Sequence, residues 1–350
     1  MKKNYDFIVL GLGAMGSAAV YQLAKARAGK VLGIDQFSPP HAFGSTHGET
    51  RITRQAIGEN ERYTELSLRS YELFREIEEA TGRTLLTITG GLIISSPSQA
   101  PSLHVPNFFE NTLAAAEKYN ISHSLLDAGE IRKKFPQFRV RDDEFGYYEN
   151  DAGFLRPEEC VRANLELGEK FGAQLRTIEK VLGFNVEADS VIVTTDKTEY
   201  TAEQLIISAG PWLPQLLDCR NKQHFTVRRQ VMYWFEIEGD AAPFLTGNFP
   251  VFIWQLQNAG RSIYGFPSID GKAIKIATEQ YDTTDTPEEV DRIVSDEETR
   301  KMYEDLAAPY LTGLSGKCAK AVTCLYTITP NSGFVIDRHP DHSNVLIVSP

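Results

Sequence analysis

The sequence has few cysteines for its length. Its 350 residues contain four, which lie far apart at Cys160, Cys219, Cys318 and Cys324. Small secreted domains that depend on disulfides carry many more. We therefore expect a reduced, cytoplasmic protein with an apolar core. Hydrophobic residues make up 42% and charged residues 24% of the chain, as in ordinary globular proteins, and the length accommodates two domains.

Long apolar runs and an excess of positive charge are also lacking. No stretch of about 18 apolar residues occurs, which argues against a membrane span. The short apolar run 7–10 follows Asp6 and breaks into glycines, so it predicts a buried strand rather than a signal peptide. Acidic residues outnumber basic ones 47 to 36, which argues against nucleic acid as a partner. A local pair of arginines can still attract an anionic small substrate into a cleft.

The first 35 residues have the pattern of strand, glycine loop, helix and strand. Gly11 allows a tight turn, Gly13 lets the backbone approach a pyrophosphate, and Gly16 lets the helix pack close to the strand. Asp35 ends the second strand at the spacing expected of an acid that binds ribose hydroxyls, and its charge disfavours NADP. These residues predict an ADP-binding unit in a parallel sheet.

The glycine loop alone does not distinguish FAD from NAD. A later apolar strand ends in Ser208-Ala209-Gly210, where it would approach a dinucleotide held by the first unit. This arrangement favours FAD, although an ordinary strand-to-helix turn fits the segment equally well.

Three further features carry candidate chemistry. Arg51 and Arg54 would share one face of a helical turn and could grip a carboxylate, or could form a structural pair with an acid such as Glu59. Lys275 lies in an apolar strand, where a lysine is costly to bury unless it is paired or functional. Cys324 also lies in a strand, where core packing is the ordinary role. Residue type alone decides none of the three.

The remaining pattern is mixed. Residues 37–54 predict a loop, and a long helix with apolar residues at helical spacing follows it. We also predict helices over 107–119, 157–171 and 296–308, and strands over 90–94, 191–195, 200–207, 231–237, 262–266, 323–326 and 345–348. This order predicts an α/β protein with a discontinuous, Rossmann-like nucleotide-binding domain and a second α+β domain built on a mixed sheet. We expect the first in 1–85, 145–218 and 315–350, and the second in 86–144 and 219–314.

These residues together resemble the monomeric sarcosine oxidase and N-methyltryptophan oxidase family of FAD-containing amine oxidases. The resemblance runs nearly end to end. Its specific segments are residues 11–16, 35–41, 44–51, 151–155, 227–231, 264–267, 324–327 and 334–340. The His-Gly-acid-Thr-Arg loop at 47–51 and the Cys-x-Tyr-Thr strand at 324–327 are the most distinctive.

The resemblance implies a chemistry and a set of roles. FAD is tethered to Cys324 through its 8α-methyl group, and Gly11, Gly13, Gly16, Asp35, Ser45 and Gly210 help to bind it. His47 and Arg51 lie beside the flavin ring, Arg54 grips the substrate carboxylate, Tyr264 contacts the substrate, and Lys275 activates oxygen. An N-methyl amino acid gives up a hydride equivalent, the imine hydrolyses to the amino acid and formaldehyde, and oxygen becomes hydrogen peroxide. The resemblance implies a monomer, and we predict no metal site.

The sequence departs from the family at several positions on the substrate side. Thr46 stands where relatives often have a first histidine, Gln55-Ala56-Ile57 replaces a frequent His-Ala-Tyr, and Glu279 replaces a histidine. Relatives also continue beyond Ile347-Val348-Ser349-Pro350 through a Gly-His-Gly-Phe-Lys turn that supplies a second carboxylate-binding residue, so we expect a truncated chain. A flavin dehydrogenase, a cyclic imino-acid oxidase and a non-catalytic FAD-binding protein are the alternatives.

Overall fold

The computed structural model describes residues 3–97, 105–256, 261–280, 283–284 and 286–349. Its strands are β1 Lys3–Leu10, β2 Val31–Ile34, β3 Arg51–Thr53, β4 Leu86–Ile88, β5 Gly91–Ser95, β6 His123–Asp127, β7 Phe145–Glu149, β8 Gly153–Leu155, β9 Gln174–Arg176, β10 Val181–Val186, β11 Val191–Thr195, β12 Glu199–Ile207, β13 Thr226–Ile237, β14 Val251–Leu256, β15 Arg261–Gly265, β16 Ala273–Thr278, β17 Thr283–Thr284, β18 Leu314–Ile328, β19 Val335–His339 and β20 His342–Ser349. Its α-helices are α1 Ala14–Lys25, α2 Arg62–Thr81, α3 Phe108–Lys118, α4 Ala128–Lys134, α5 Pro157–Lys170, α6 Leu213–Leu216, α7 Cys219–Lys222 and α8 Asp296–Lys301.

The first sheet has eight strands and is built around β1. Strand β1 lies between β12 and β2 and is parallel to both, β9 extends this parallel part, and β20 lies parallel to β12. Alternate residues of β1 enter different cores, because successive side chains of a strand point to opposite faces. Ile8 packs against one group of apolar residues, and Val9 packs with Val20 of α1 and Val161 of α5 on the other face. The sheet is therefore buried on both faces, as parallel sheets in α/β proteins are.

The second sheet has nine strands in the order β17-β13-β16-β15-β14-β5-β7-β6, with β18 also paired to β13. One face of β13 carries Val231, Tyr233 and Phe235, which are buried in an apolar core with residues of β14, β15 and β16. The opposite face carries Met232 and Trp234. Strands β3, β8 and β4 form a small third sheet. This alternation leaves one face of the nine-stranded sheet free to carry a site.

Most of the predicted elements are confirmed. The predicted helices over 107–119 and 157–171 are α3 and α5, and the helix over 296–308 begins as α8 and continues as a π-helix over Met302–Ala307. The strand predicted over 323–326 is the end of a strand of 15 residues, β18, whose early part is too exposed for an apolar pattern to reveal. The predicted loop over 37–54 contains β3.

The mixed α/β fold with two large sheets is confirmed. Strands β7 and β18 begin segments that our boundaries assign to the nucleotide-binding domain, yet both hydrogen-bond into the nine-stranded sheet. The division into domains stays a prediction. Within the described ranges, no helix is long and apolar enough to cross a membrane.

Candidate active site

The glycine loop shapes one wall of a cleft of about 370 Å³. A Cβ atom on Gly11 would lie 2.4 Å from the carbonyl oxygen of Ser208, and one on Gly16 would lie 1.8 Å from that of Gly11. Gly11 also has a φ of +84°, a conformation that favours glycine. Only glycine therefore fits at these two positions, because the loop, the end of β12 and the start of α1 touch one another there.

Gly13 differs from the other two glycines, since its missing side chain leaves room in the cleft. The nearest heavy atom to a Cβ there is the Oγ1 of Thr46 at 3.5 Å. Gly13 immediately precedes α1, so the N–H groups of the first helical turn and the positive end of the helix dipole lie at the cleft wall, where the Ala14 N–H donates to the Thr46 hydroxyl. A phosphate could approach the backbone here.

Asp35 lies at the end of β2, and its carboxylate fixes the loop beside it. Its Oδ2 accepts a hydrogen bond of 2.7 Å from the Leu12 N–H, and its Oδ1 accepts one of 2.8 Å from the Phe37 N–H. Burial raises the pKa of this carboxyl, while the two N–H groups act in the opposite direction. The carboxylate faces the cleft and keeps lone pairs for a further donor.

The far wall of the cleft is formed by the ends of β12, β18 and β20. Gly210 has a φ of +52° and begins a 3₁₀ turn, with no heavy atom within 4 Å of its Cβ position. The buried hydroxyl groups of Thr327 and Ser349 also line the cleft, and neither has a hydrogen-bond partner among the described residues. Buried polar groups are usually satisfied, so a ligand with polar atoms suits this wall.

A second group of residues lies on the face of the nine-stranded sheet opposite its main core. Register places Lys275 of β16 opposite Trp234 of β13, and Cys324 of β18 opposite Gln230 of the same strand. We call the group of Arg51, Tyr264, Lys275, Cys324 and Tyr326 the sheet-face cluster.

Arg51 of β3 connects the cleft wall to this cluster. Its Nη2 donates a hydrogen bond of 2.6 Å to the carbonyl oxygen of Ser45, which lines the cleft, and lies 3.9 Å from the sulfur of Cys324. Burial raises the pKa of the Cys324 thiol, and the positive charges of Arg51 and Lys275 act against this shift. Burial outweighs the two cations, so the pKa of the thiol stays above its ordinary value, but the cations reduce the cost of forming the thiolate.

Lys275 is almost fully buried, with 3% of its surface exposed. Its ammonium group donates hydrogen bonds of 2.8 Å to the carbonyl oxygen of Gly48 and 2.5 Å to that of Thr50, and lies 3.9 Å from the centre of the Phe266 ring. Burial, with the nearby charge of Arg51, lowers its pKa well below the ordinary value. The sequence left two roles open for this lysine, and its position in the cluster favours the functional one.

Tyr264 and Tyr326 complete the cluster, and their hydroxyl groups lie near each other and near Arg51 and Cys324. Burial raises the pKa of both hydroxyl groups. They therefore stay protonated at neutral pH and can donate a hydrogen bond.

His47 is buried next to the cluster, and its Nε2 has no hydrogen-bond partner within the described part of the chain. Burial and the charge of Arg51 lower its pKa to about 4. The imidazole is therefore neutral at pH 7 and has one ring nitrogen available.

The prediction that Arg51 and Arg54 share one face of a helical turn is wrong. Arg51 belongs to the extended strand β3, so a side chain three positions later points the other way. Arg54 instead forms a two-bond ion pair with Glu59, at 2.5 and 2.7 Å, and stacks on Phe108 at 5.0 Å from the ring centre. The structural pairing that the sequence left open for Arg54 is present.

Comparison with known proteins decides the family. Residues 6–349 match the DAO family, described as FAD dependent oxidoreductase. The chain is a member of this family. It is 42% identical to the monomeric sarcosine oxidase of Streptomyces avermitilis, over all of this chain and 88% of that protein. It is 32% identical to the N-methyl-L-tryptophan oxidase of Citrobacter koseri, over 99% of this chain and 89% of that protein.

Solved structures support the fold of this FAD-dependent oxidoreductase. NikD, an unusual amino acid oxidase essential for nikkomycin biosynthesis, superposes in its open form with a TM-score of 0.83 at 21% identity. The superposition covers 99% of this chain and 89% of NikD. The cleft suits the family's cofactor, because Gly13 leaves room for a pyrophosphate and Thr327 and Ser349 offer unpaired buried hydroxyls.

Sequence reasoning missed several residues that surround Lys275. Glu158 accepts hydrogen bonds from the N–H groups of Gly48 and Glu49, close to Lys275. The ring of Phe266 lies against the ammonium group of Lys275. The indole N–H of Trp234 donates a hydrogen bond to Glu49, and the ring centre lies 5.6 Å from the ammonium nitrogen of Lys275. No local pattern marks Glu158 or Phe266, whereas the alternation of Trp234 with the core residues Tyr233 and Phe235 along β13 could have indicated its face.

Proposed function

We propose that the protein is an FAD-dependent oxidase of secondary N-methyl amino acids. The observation that carries the proposal is the sheet-face cluster, in which a buried lysine, an arginine, a thiol and two tyrosines converge beside a dinucleotide cleft. The names of the two relatives, a sarcosine oxidase and an N-methyl-L-tryptophan oxidase, support the substrate class. The products would be the free amino acid, formaldehyde and hydrogen peroxide.

The cofactor would occupy the cleft with its ADP part at the glycine loop. Gly11, Gly13 and Gly16 would shape the pyrophosphate site, Asp35 would accept from the ribose hydroxyls, and Gly210 would line the opposite wall. When bound, FAD would accept a hydride equivalent from the amine and pass the electrons to oxygen.

Contacts at Ser45 and Cys324 support a position for the flavin end. The Ser45 carbonyl and the Cys324 sulfur both contact Arg51, which would hold the ring side of the cleft. Cys324 would form the covalent tether, and the two neighbouring cations would reduce the cost of forming its thiolate in this buried position.

The protein groups would act on charge and protons around the reacting atoms. Tyr264 would donate a hydrogen bond to the substrate, and neutral His47 would orient polar groups without adding positive charge. Lys275, held by two carbonyl oxygens, would stabilise the negative charge that develops on oxygen.

Arg54 would bind the substrate carboxylate. The Nη2 of Arg54 already binds both carboxylate oxygens of Glu59, so the same nitrogen could bind the carboxylate of a substrate. The substrate carboxylate would therefore replace Glu59 on Arg54. To do so, it must bind Arg54 more strongly than Glu59 does in the internal ion pair.

Peroxide release tests the function. The purified protein is mixed with sarcosine, N-methyl-L-tryptophan and pipecolate, and hydrogen peroxide and formaldehyde are measured. Peroxide and formaldehyde in equal amounts with either N-methyl amino acid are expected. Peroxide with pipecolate alone would instead identify a cyclic imino-acid oxidase, and dye reduction with little peroxide would identify a dehydrogenase.

The Arg54–Glu59 pair also favours a second candidate, a non-catalytic FAD-binding protein. If Glu59 never leaves the arginine, no substrate carboxylate can be held. This candidate predicts bound FAD whose yellow colour persists with every amine. We also propose that the protein is cytoplasmic and that it acts as a monomer, and the name of the Streptomyces relative, monomeric sarcosine oxidase, supports the second of these.

A further inference from the structure

The loop of residues 48–50, whose carbonyl oxygens bind Lys275, has an unusual backbone conformation. Gly48 has a φ of +97° and Glu49 a φ of +70°. Glycine adopts this left-handed region freely, but a residue with a side chain does so at a cost. Contacts outside the loop must therefore hold Glu49 in place.

Glu158 supplies these contacts from the first turn of α5. Its Oε1 accepts hydrogen bonds from the N–H groups of Gly48, at 2.7 Å, and of Glu49, at 3.1 Å. The Glu49 side chain is fixed as well, because it accepts from the indole of Trp234 at 3.0 Å and from the ammonium group of Lys320 at 2.7 Å.

The same turn directs carbonyl oxygens toward Lys275. With the two N–H groups facing Glu158, the oxygens of Gly48 and Thr50 lie 2.8 and 2.5 Å from the ammonium nitrogen. A buried ammonium group is stable only if such acceptors surround it. The carboxylate, the turn and the lysine thus form one connected unit.

We propose that Glu158 is a positioning residue for Lys275. Through the N–H groups of Gly48 and Glu49 it holds the two carbonyl oxygens that bind the ammonium group, and its negative charge helps to keep that group protonated. The link to the oxygen reaction rests on the proposed function, since only there does Lys275 act on oxygen.

The adjacent residue provides a matched control. Glu159 lies in the same first turn of α5 and has the same charge, but it pairs with Arg83, at 2.8 Å, and with Arg162. A general effect of negative charge at the start of the helix would therefore appear equally in Glu159→Gln.

The first experiment measures Lys275 directly and needs neither substrate nor flavin turnover. The lysine 13Cε resonances of the folded, lysine-labelled protein are followed by NMR over a range of pH, and the signal that is lost in Lys275→Met identifies Lys275 and gives its titration midpoint. We expect Glu158→Gln to lower this midpoint by about one unit, and Glu159→Gln to leave it unchanged. An unchanged midpoint in Glu158→Gln, or an equal shift in both variants, would overturn the proposal.

The second experiment measures the reaction of reduced flavin with oxygen by stopped flow, after photochemical reduction without any amine. We expect Glu158→Ala to slow this reaction about tenfold, less than the loss of a charge-stabilising donor itself. Glu158→Gln keeps one acceptor oxygen, so its reaction with oxygen should slow less than that of Glu158→Ala. This variant also keeps the test valid if Glu158→Ala misfolds. Equal oxygen rates in wild type and both variants would contradict the positioning role.

The two hypotheses fail in different ways. If no amine removes the yellow colour but the Lys275 midpoint moves, the proposed function is wrong and the positioning role stands. If N-methyl amino acids are oxidised but the midpoint does not move, the function stands and the positioning role is wrong.

Discussion

The guanidinium nitrogen Nη2 of Arg51 lies 3.9 Å from the sulfur of Cys324, although the two residues are 273 positions apart in the sequence. Arg51 reaches the site from the small sheet and Cys324 from the nine-stranded sheet. The same guanidinium group donates to Ser45 on the cleft wall. Arg51 therefore joins the dinucleotide cleft to the buried cluster.

The contact leads to a prediction about the flavin tether. Wild-type protein precipitated with acid should give a yellow pellet, whereas Cys324→Ser should release its flavin into the supernatant. The matched control is Cys219→Ser, because Cys219 is a free and exposed cysteine. A colourless wild-type pellet would disprove the tether, and a yellow pellet from Cys324→Ser would assign it to another residue.

The glycine loop predicts different outcomes for two alanine substitutions. Gly16→Ala places a Cβ 1.8 Å from a backbone oxygen, so we expect unfolding to become easier by about 1–3 kcal/mol or more. Gly13→Ala meets nothing closer than 3.5 Å and has an ordinary φ of -72°, so it should fold normally but bind FAD more weakly. Urea unfolding and flavin content measure the two effects. Equal stability of both variants would contradict the packing argument.

Part of the glycine loop could be predicted from the sequence alone. The packing of Gly16 against Gly11 and the hydrogen bond from Leu12 to Asp35 lie within one strand–loop–helix unit, which a local pattern can encode. The cluster around Lys275 depends on strands β13, β15, β16 and β18, which are brought together only by the sheet order. Its positions therefore came from the family resemblance.

The conformation of residues 51–54 shows a different limit of prediction from the sequence. Two residues three apart share a face in a helix but oppose each other in a strand. Residues 51–53 form a strand only because β8 pairs with them, and β8 lies about a hundred residues further along the chain. No local signal specifies that pairing.

The ion pair of Arg54 with Glu59 predicts opposite effects on substrate affinity. Arg54→Gln should raise the KM for a carboxylate substrate roughly 10- to 100-fold, because charge-assisted hydrogen bonds are lost. Glu59→Gln should lower the KM, because it removes the competing carboxylate. Arg69→Gln, which loses only surface pairs with Glu72 and Glu76, is the control for both. A KM in Arg54→Gln equal to that of wild type would remove Arg54 from the substrate site.

The lowered pKa of His47 predicts a pH dependence of stability. Between its folded value of about 4 and the ordinary value of about 6.5, the unfolded chain binds a proton that the folded chain does not. The free energy of unfolding should therefore fall as the pH drops through this window, by at most about 3 kcal/mol from this residue.

Urea unfolding at several pH values measures this slope. The free energy of unfolding of His47→Gln should change less with pH between about 4 and 6.5 than that of the wild type, whatever its value at neutral pH. His224→Gln alters an exposed histidine and should keep the wild-type slope. If both variants keep that slope, His47 is not a buried neutral imidazole.

Anaerobic mixing of the flavin-loaded protein with sarcosine or N-methyl-L-tryptophan tests the central claim most directly. Glycine and tryptophan, which lack the N-methyl group, serve as matched controls. We predict that at least one N-methyl amino acid removes the yellow absorption, that the controls do not, and that air restores the colour with release of hydrogen peroxide. Persistent colour with both N-methyl amino acids would contradict the proposed function.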